Sequence, residues 1–163
     1  MSLRKDVYQT KKLLNLDKLN VLIIDDFNFM ARLMEAMLLE IGIGKTFMAR
    51  NLEDAKAVLN TPQNAIDLII MDWPMPQQMG QKMLKWVRRH PAIQIKFLPI
   101  MVCGSKLTSA DLNAARNAGA TEFLVKPLSA QKLASRVKYM IEQPRAFVQT
   151  ETFFGPTDVA SRI

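Results

Sequence analysis

The chain has 163 residues, 49% apolar and 23% charged, which is the balance of one globular domain with a sizeable core. No apolar run approaches the roughly 18 residues of a membrane span, the amino terminus carries no apolar signal core, and the lone Cys103 excludes a disulfide framework or a thiolate metal cluster. The net charge of +7 favours acidic partners, but the cations are scattered and their densest groups, Lys11-Lys12 and Arg88-Arg89, are only pairs, so a solvated basic surface is expected rather than a nucleic-acid footprint.

Residues 3–16 place Leu3, Val7, Thr10 and Leu14 on one helical stripe, which predicts a short helix docked on the domain. From there, short apolar runs alternate with helical patterns. The runs are "NVLII" (20–24), "KTFMA" (45–49), "IDLIIM" (66–71), "LPIMVC" (98–103) and "TEFLV" (121–125). Each is of strand length without clean alternation, as in strands buried on both faces of a parallel sheet.

Between the first two runs, Met30, Leu33, Met34, Met37, Leu38 and Ile41 repeat at helical spacing, and Gly42 is placed to end that helix. Residues 51–60 and 77–90 predict two more helices, the second with Met83, Leu84 and Val87 on one side. Thr108 opens a capped helix that Gly119 closes, and Ser129 opens a last one with Leu133, Val137, Met140 and Ile141 on one face. Five βα units over 17–143 predict a doubly wound five-stranded parallel sheet with helices on both faces. The tail from Pro144 to Ile163 holds Phe147, Phe153 and Phe154 but no helical period, and reads as an extended arm that packs on its own domain or a neighbour.

Doubly wound sheets carry their functional groups at the carboxyl ends of the strands. Here those ends bring Asp25-Asp26, Asp72, the loop Cys103-Gly104-Ser105-Lys106, and Lys126-Pro127 to one edge. Adjacent aspartates repel and resist desolvation unless a cation compensates them, and an all-oxygen cluster suits a hard one such as Mg²⁺.

In order and spacing, "IIDD", "MDWPMPQQMG" and "AGATEFLVKP" resemble the receiver domain of two-component response regulators over about residues 19–142. The resemblance implies a flavodoxin-like strand topology and that Asp72 is the phosphoacceptor. It also implies that Asp26, Asp72 and the Pro74 carbonyl bind Mg²⁺ (or Mn²⁺) directly, Asp25 through water, and that Lys126 neutralises the phosphoryl oxygens, with a cis Lys126–Pro127 bond. The implied phosphodonor is a histidine kinase or a histidine phosphotransfer protein.

The chain departs from the family pattern at Gly104, where Thr or Ser is usual. Ser105 then either substitutes for the hydroxyl or serves through its backbone alone. Phe123 holds the aromatic switch position without a tyrosine hydroxyl, while Pro74 and Lys106 occupy the positions that tune phosphate lifetime in the family. About twenty residues follow the last helix, too few for a DNA-binding or enzymatic output domain, so a stand-alone chemotaxis-regulator-like type is expected. Output would come from protein binding through the fourth helix, fifth strand and fifth helix.

The expectation is therefore a cytoplasmic phosphoacceptor with at most weak self-dephosphorylation, not an enzyme acting on other molecules. A homodimer is an open alternative, and neither membrane nor nucleic acid is expected as a partner. A degenerate receiver acting as a phosphorylation-independent scaffold is the rival reading. A flavodoxin would need a Ser/Thr/Gly-rich loop after the first strand, and a dinucleotide enzyme Gly-x-Gly-x-x-Gly; "DDFNFM" is neither. His90 reads as a surface residue, Cys103 and the methionines as core, Trp73 as a shield of the site and Trp86 as a helix contact.

Overall fold

The structure, a computed structural model, describes residues 2–3, 15–73 and 75–157. Five strands form one parallel sheet: β2 (Asn20–Ile24), β3 (Lys45–Ala49), β4 (Leu68–Asp72), β5 (Ile100–Gly104) and β6 (Glu122–Val125), in the order β3-β2-β4-β5-β6. Strand order thus reverses between β2 and β4, and this is the predicted flavodoxin-like topology.

Successive residues of each strand feed opposite layers, because side chains alternate along a strand. Val21 and Ile23 face one layer with Ala31, Met34 and Leu38 of α1 (Asn28–Glu40) and Leu133 and Val137 of α6 (Ala130–Glu142). Leu22 and Ile24 face the other layer. There they meet Ala55 and Leu59 of α2 (Leu52–Leu59), Met83, Leu84 and Val87 of α3 (Met79–Arg89), and Ala115 of α5 (Ser109–Ala118). Fully burying such aliphatic side chains stabilises the fold by roughly 1.5–3 kcal/mol each.

The helix ends follow local chemistry. Asn51 and Ser129 accept from the third backbone N–H of α2 and α6, and Thr108 forms a reciprocal capping box with Asp111 at α5. Gly119, at φ 106°, ends α5 in the left-handed conformation that glycine adopts without penalty. A one-turn helix, α4 (Ile93–Lys96), which the sequence pattern did not show, bridges α3 to β5.

The helix expected over residues 3–16 falls almost wholly outside the described residues. Ser2–Leu3 form a strand, β1, and Leu16–Lys18 a 3₁₀ turn, while residues 4–14 lie outside the described residues. β1 pairs antiparallel with β7 (Phe147–Gln149), which pairs with β8 (Phe154–Pro156) in a second, three-stranded sheet.

The segment after α6 packs on its own domain at the amino ends of β5 and β6. Phe97 meets Phe147 and Phe154 at centroid distances of 4.9 and 5.2 Å. Arg145 donates Nε to the Thr121 carbonyl at 3.1 Å and bonds the buried Glu122 carboxylate, which also takes Arg136 at 3.2 Å. Beside it the buried Arg88 donates to the carbonyls of Gly119, Lys96 and Leu98 at 2.7–2.9 Å. A buried guanidinium with its donors occupied in this way avoids the penalty of an unpaired charge.

Candidate functional site

The register of the sheet fixes what meets at its carboxyl edge. Ile24 of β2 lies opposite Met71 of β4, so the next residues, Asp25 and Asp72, are level. Asp72 pairs with Cys103 and Gly104 with Val125, which sets Lys126 one step beyond the end of β5. One carboxylate oxygen from each of Asp25, Asp26 and Asp72 lies within 4.8 Å of the others. Lys126 Nζ is 2.6 Å from Asp72 Oδ1. Three carboxylates and one ammonium leave a formal charge of −2, which invites a divalent cation.

Asp25 is buried, and its Oδ1 accepts from the Phe27 N–H at 2.9 Å, so a tight turn holds that carboxylate in place. Burial pushes the Asp25 carboxyl above its ordinary value. The Phe27 bond opposes that shift, the negative charge of Asp72 adds to it, Lys126 opposes it, and Asp26 adds again. Asp26, in contrast, is exposed at the mouth of the cleft. Pro74, whose carbonyl was the expected fourth oxygen, lies outside the described residues. The peptide between Lys126 and Pro127 is cis, and the Lys126 N–H bonds the Gly104 carbonyl at 2.8 Å.

The missing hydroxyl at position 104 has a local cause. A Cβ on Gly104 would stand 2.5 Å from the Trp73 carbonyl oxygen and 2.6 Å from Leu107 Cδ2. No real Cβ tolerates such a distance to a backbone atom, so the end of β5 accepts only glycine unless the loop after Asp72 moves. Ser105 and Lys106 follow, exposed. Phe123 is buried in the layer beneath α3 and α5, its ring turned into the core.

Trp73 belongs to that same layer. Its N–H bonds the Cys103 carbonyl at 2.7 Å, its ring lies over Gly80, where a Cβ would meet it at 2.6 Å, and its Nε1 donates to Asp111 Oδ1 at 3.2 Å. The residue after Asp72 is therefore tied to the first turn of α5, a link that the shield assigned from sequence did not include. Only the sequence capping signal at Thr108 pointed toward Asp111. Bonds from Thr108 and Trp73 hold the Asp111 carboxyl below its ordinary range, those from Thr108 counting most.

Cys103 is buried, and desolvation pushes its thiol up to about 12, so it stays protonated and serves as packing. His90 is half-buried, with Nε2 3.1 Å from Asn60 Oδ1 and Nδ1 accepting from the Ala92 N–H, far along the chain from the carboxylates. Beside the acid cluster lies an apolar rim. Phe27 and Phe29 are 59% and 67% exposed, and Met30, Leu33, Met34 and Met37 of α1 line a groove of about 140 Å³ that reaches Lys126 and Leu128.

Residues 21–138 match the family model described as response regulator receiver domain. The chain is 28% identical over 125 residues to the chemotaxis protein CheY of Pseudomonas aeruginosa, covering 77% of this chain and 98% of that protein. It is 27% identical to CheY-3 of Vibrio cholerae, over 77% of this chain and 93% of that one. Among solved structures, a putative response regulator from Chloroflexus aurantiacus superposes with a TM-score of 0.65 at 31% identity, covering 76% of this chain and 98% of the other. CheY4 of Vibrio cholerae superposes at 0.64 and 27%, over 74% and 96%.

Proposed function

The chain belongs to the response-regulator receiver family, and from that premise we propose that Asp72 is its phosphoacceptor, charged by a histidine kinase or histidine phosphotransfer protein. The observation that carries this reading is the 2.6 Å contact of Lys126 Nζ with Asp72 Oδ1 beside two further carboxylates.

In the proposed reaction an Asp72 carboxylate oxygen attacks the phosphorus. A new O–P bond forms as the donor's N–P or O–P bond breaks, and that bond's electron pair leaves with the donor. Lys126, already in contact with Asp72, transfers its hydrogen bond to a phosphoryl oxygen and offsets charge there. Asp26 and Asp72 would hold a Mg²⁺ (or Mn²⁺) ion, and Asp25, oriented by the Phe27 N–H, would act through water. When bound, that ion neutralises phosphoryl charge that three carboxylates alone would repel. Attack of water on the phosphorus breaks the aspartyl O–P bond, releases inorganic phosphate and regenerates the Asp72 carboxylate, a weak self-dephosphorylation rather than turnover of another substrate.

With Gly104 lacking a hydroxyl, Ser105, through its hydroxyl or its backbone N–H, and Lys126 are left as this chain's own phosphoryl contacts. The rim of Phe27, Phe29 and α1 suits docking of the phosphodonor protein. Output is binding of a downstream protein, in a cytoplasmic setting.

Borohydride reduction of the phosphorylated protein, followed by peptide mass mapping, tests the assignment. The expected result is reduction of an aspartyl phosphate at position 72. Modification at another aspartate, or none after treatment with a phosphodonor, would overturn it.

A further inference from the structure

Helix α3 carries Lys82, Lys85, Arg88 and Arg89 and no acidic residue. Its inner face is accounted for: Met83, Leu84 and Val87 are in the core, and Arg88 is bound to three carbonyls. Its outer face is not. Lys82, Lys85 and Arg89 are all exposed, and their i, i+3, i+7 spacing puts them on one stripe about 10 Å long. Among the described residues none of the three takes part in an ion pair.

The stripe borders a cleft of about 390 Å³, lined by these three cations with Trp86, His90 and Pro91. Trp86 and His90 form its aromatic wall, in an edge-on contact with centroids 4.8 Å apart. Lys56 of α2 adds a further cation 5.8 Å from the Trp86 ring, already paired with Glu53 at 3.5 Å.

We propose that this face of α3 docks an acidic segment of a partner protein. The segment's carboxylates lie on Lys82, Lys85 and Arg89, and an apolar side chain enters the cleft against Trp86. The proposal goes beyond the receiver reading and does not depend on Asp72. Charge complementarity selects an anion, since a helix face of one sign raises the local concentration of the other. Two features select a protein segment over nucleic acid. Three cations on one short stripe fall well short of the roughly six to ten phosphates that a DNA-binding protein contacts. A half-buried tryptophan in a concave wall is also the usual anchor of a peptide side chain at an interface.

The test titrates the 163-residue chain with a short glutamate-rich peptide carrying one leucine and with duplex DNA, reading tryptophan fluorescence and repeating each titration in raised salt. Three variants run beside it: Lys82→Glu/Lys85→Glu/Arg89→Glu, the charge-matched control Lys45→Glu/Lys132→Glu/Lys138→Glu, and Trp86→Phe. Circular dichroism melts establish that all are folded. The expected result is saturable peptide binding that weakens about tenfold or more in the α3 variant and little in the control, with the binding-induced fluorescence change lost in Trp86→Phe, where Trp73 alone emits. No saturable peptide binding, an equal loss in the control, or tighter binding of duplex DNA through the same three residues would overturn the proposal.

Discussion

The Trp73 carbonyl oxygen occupies the space into which any side chain at position 104 would project, 2.5 Å from where a Cβ would stand. The departure at Gly104 is thus part of how the loop after Asp72 packs on the end of β5. Gly104→Ser should therefore destabilise the protein by about 1–3 kcal/mol, the cost of overpacking. A fall in the denaturant midpoint at unchanged slope would register it. A neutral or stabilising effect would mean that the Trp73 carbonyl moves freely.

Lys126 contributes to the site through charge. Lys126→Ala should slow phosphoryl uptake by roughly 10²–10³-fold, the usual cost of removing one preorganised charge-stabilising donor. It should also tighten Mg²⁺ binding, because a cation leaves a cluster of three carboxylates. Metal titration of the variant separates these effects. Weaker Mg²⁺ binding would show that Lys126 mainly supports the loop.

The strands and the acidic edge were legible in the sequence for one reason. β2 and β3 fall on the residues predicted, 20–24 and 45–49, because buried parallel strands are written as compact apolar runs. β4, β5 and β6 begin one or two residues late, since Ile66-Asp67 and Leu98-Pro99 are apolar or buried yet precede the ladder. Asp67 shows why: it is buried, and its Oδ2 accepts from the Asn20 N–H at 3.0 Å, so it joins β2 from outside β4. Strand-end placement then brought Asp25, Asp26, Asp72 and Lys126 together.

Other features were not legible, because they rest on long-range partners. α4 is one turn long and too short to show a period, and β7 and β8 are three residues each. What orders those strands is Arg145 against Glu122 and Phe97 against Phe147 and Phe154, pairs that no local pattern announces. The Trp73 to Asp111 bond, 38 positions apart, is of the same kind.

The tethering of the carboxy-terminal hairpin is open to measurement. Arg145→Ala removes one cationic partner of the buried Glu122 carboxylate and leaves Arg136 as its remaining cationic partner among the described residues. A loss of about 2–4 kcal/mol is expected, somewhat below the cost of breaking a buried pair completely. Urea unfolding would measure it, and a change under about 0.5 kcal/mol would assign the hairpin's anchorage to the phenylalanine cluster instead.

The raised carboxyl of Asp25 gives a signed pH dependence. A carboxyl whose value is higher folded than unfolded favours the fold while protonated. In metal-free protein that contribution is present below about pH 4 and is lost as pH rises through the raised value. The stability difference between wild type and Asp25→Asn should therefore fall as pH climbs over that window. Mg²⁺ binding has the opposite sign: protons compete with the ion, so affinity rises with pH over the same range. Denaturant midpoints at several pH values, with and without Mg²⁺, read both trends. A stability difference independent of pH would contradict the burial argument.

Intact-protein mass after incubation with acetyl phosphate, in Mg²⁺ and in EDTA, for wild type and Asp72→Asn, decides whether Asp72 accepts a phosphoryl group. Wild type should gain one phosphoryl group with Mg²⁺, and none should appear in EDTA or in the variant. Absence of any gain in wild type with Mg²⁺, or an equal gain in Asp72→Asn, would contradict that assignment and favour a receiver fold that binds its partners without phosphorylation.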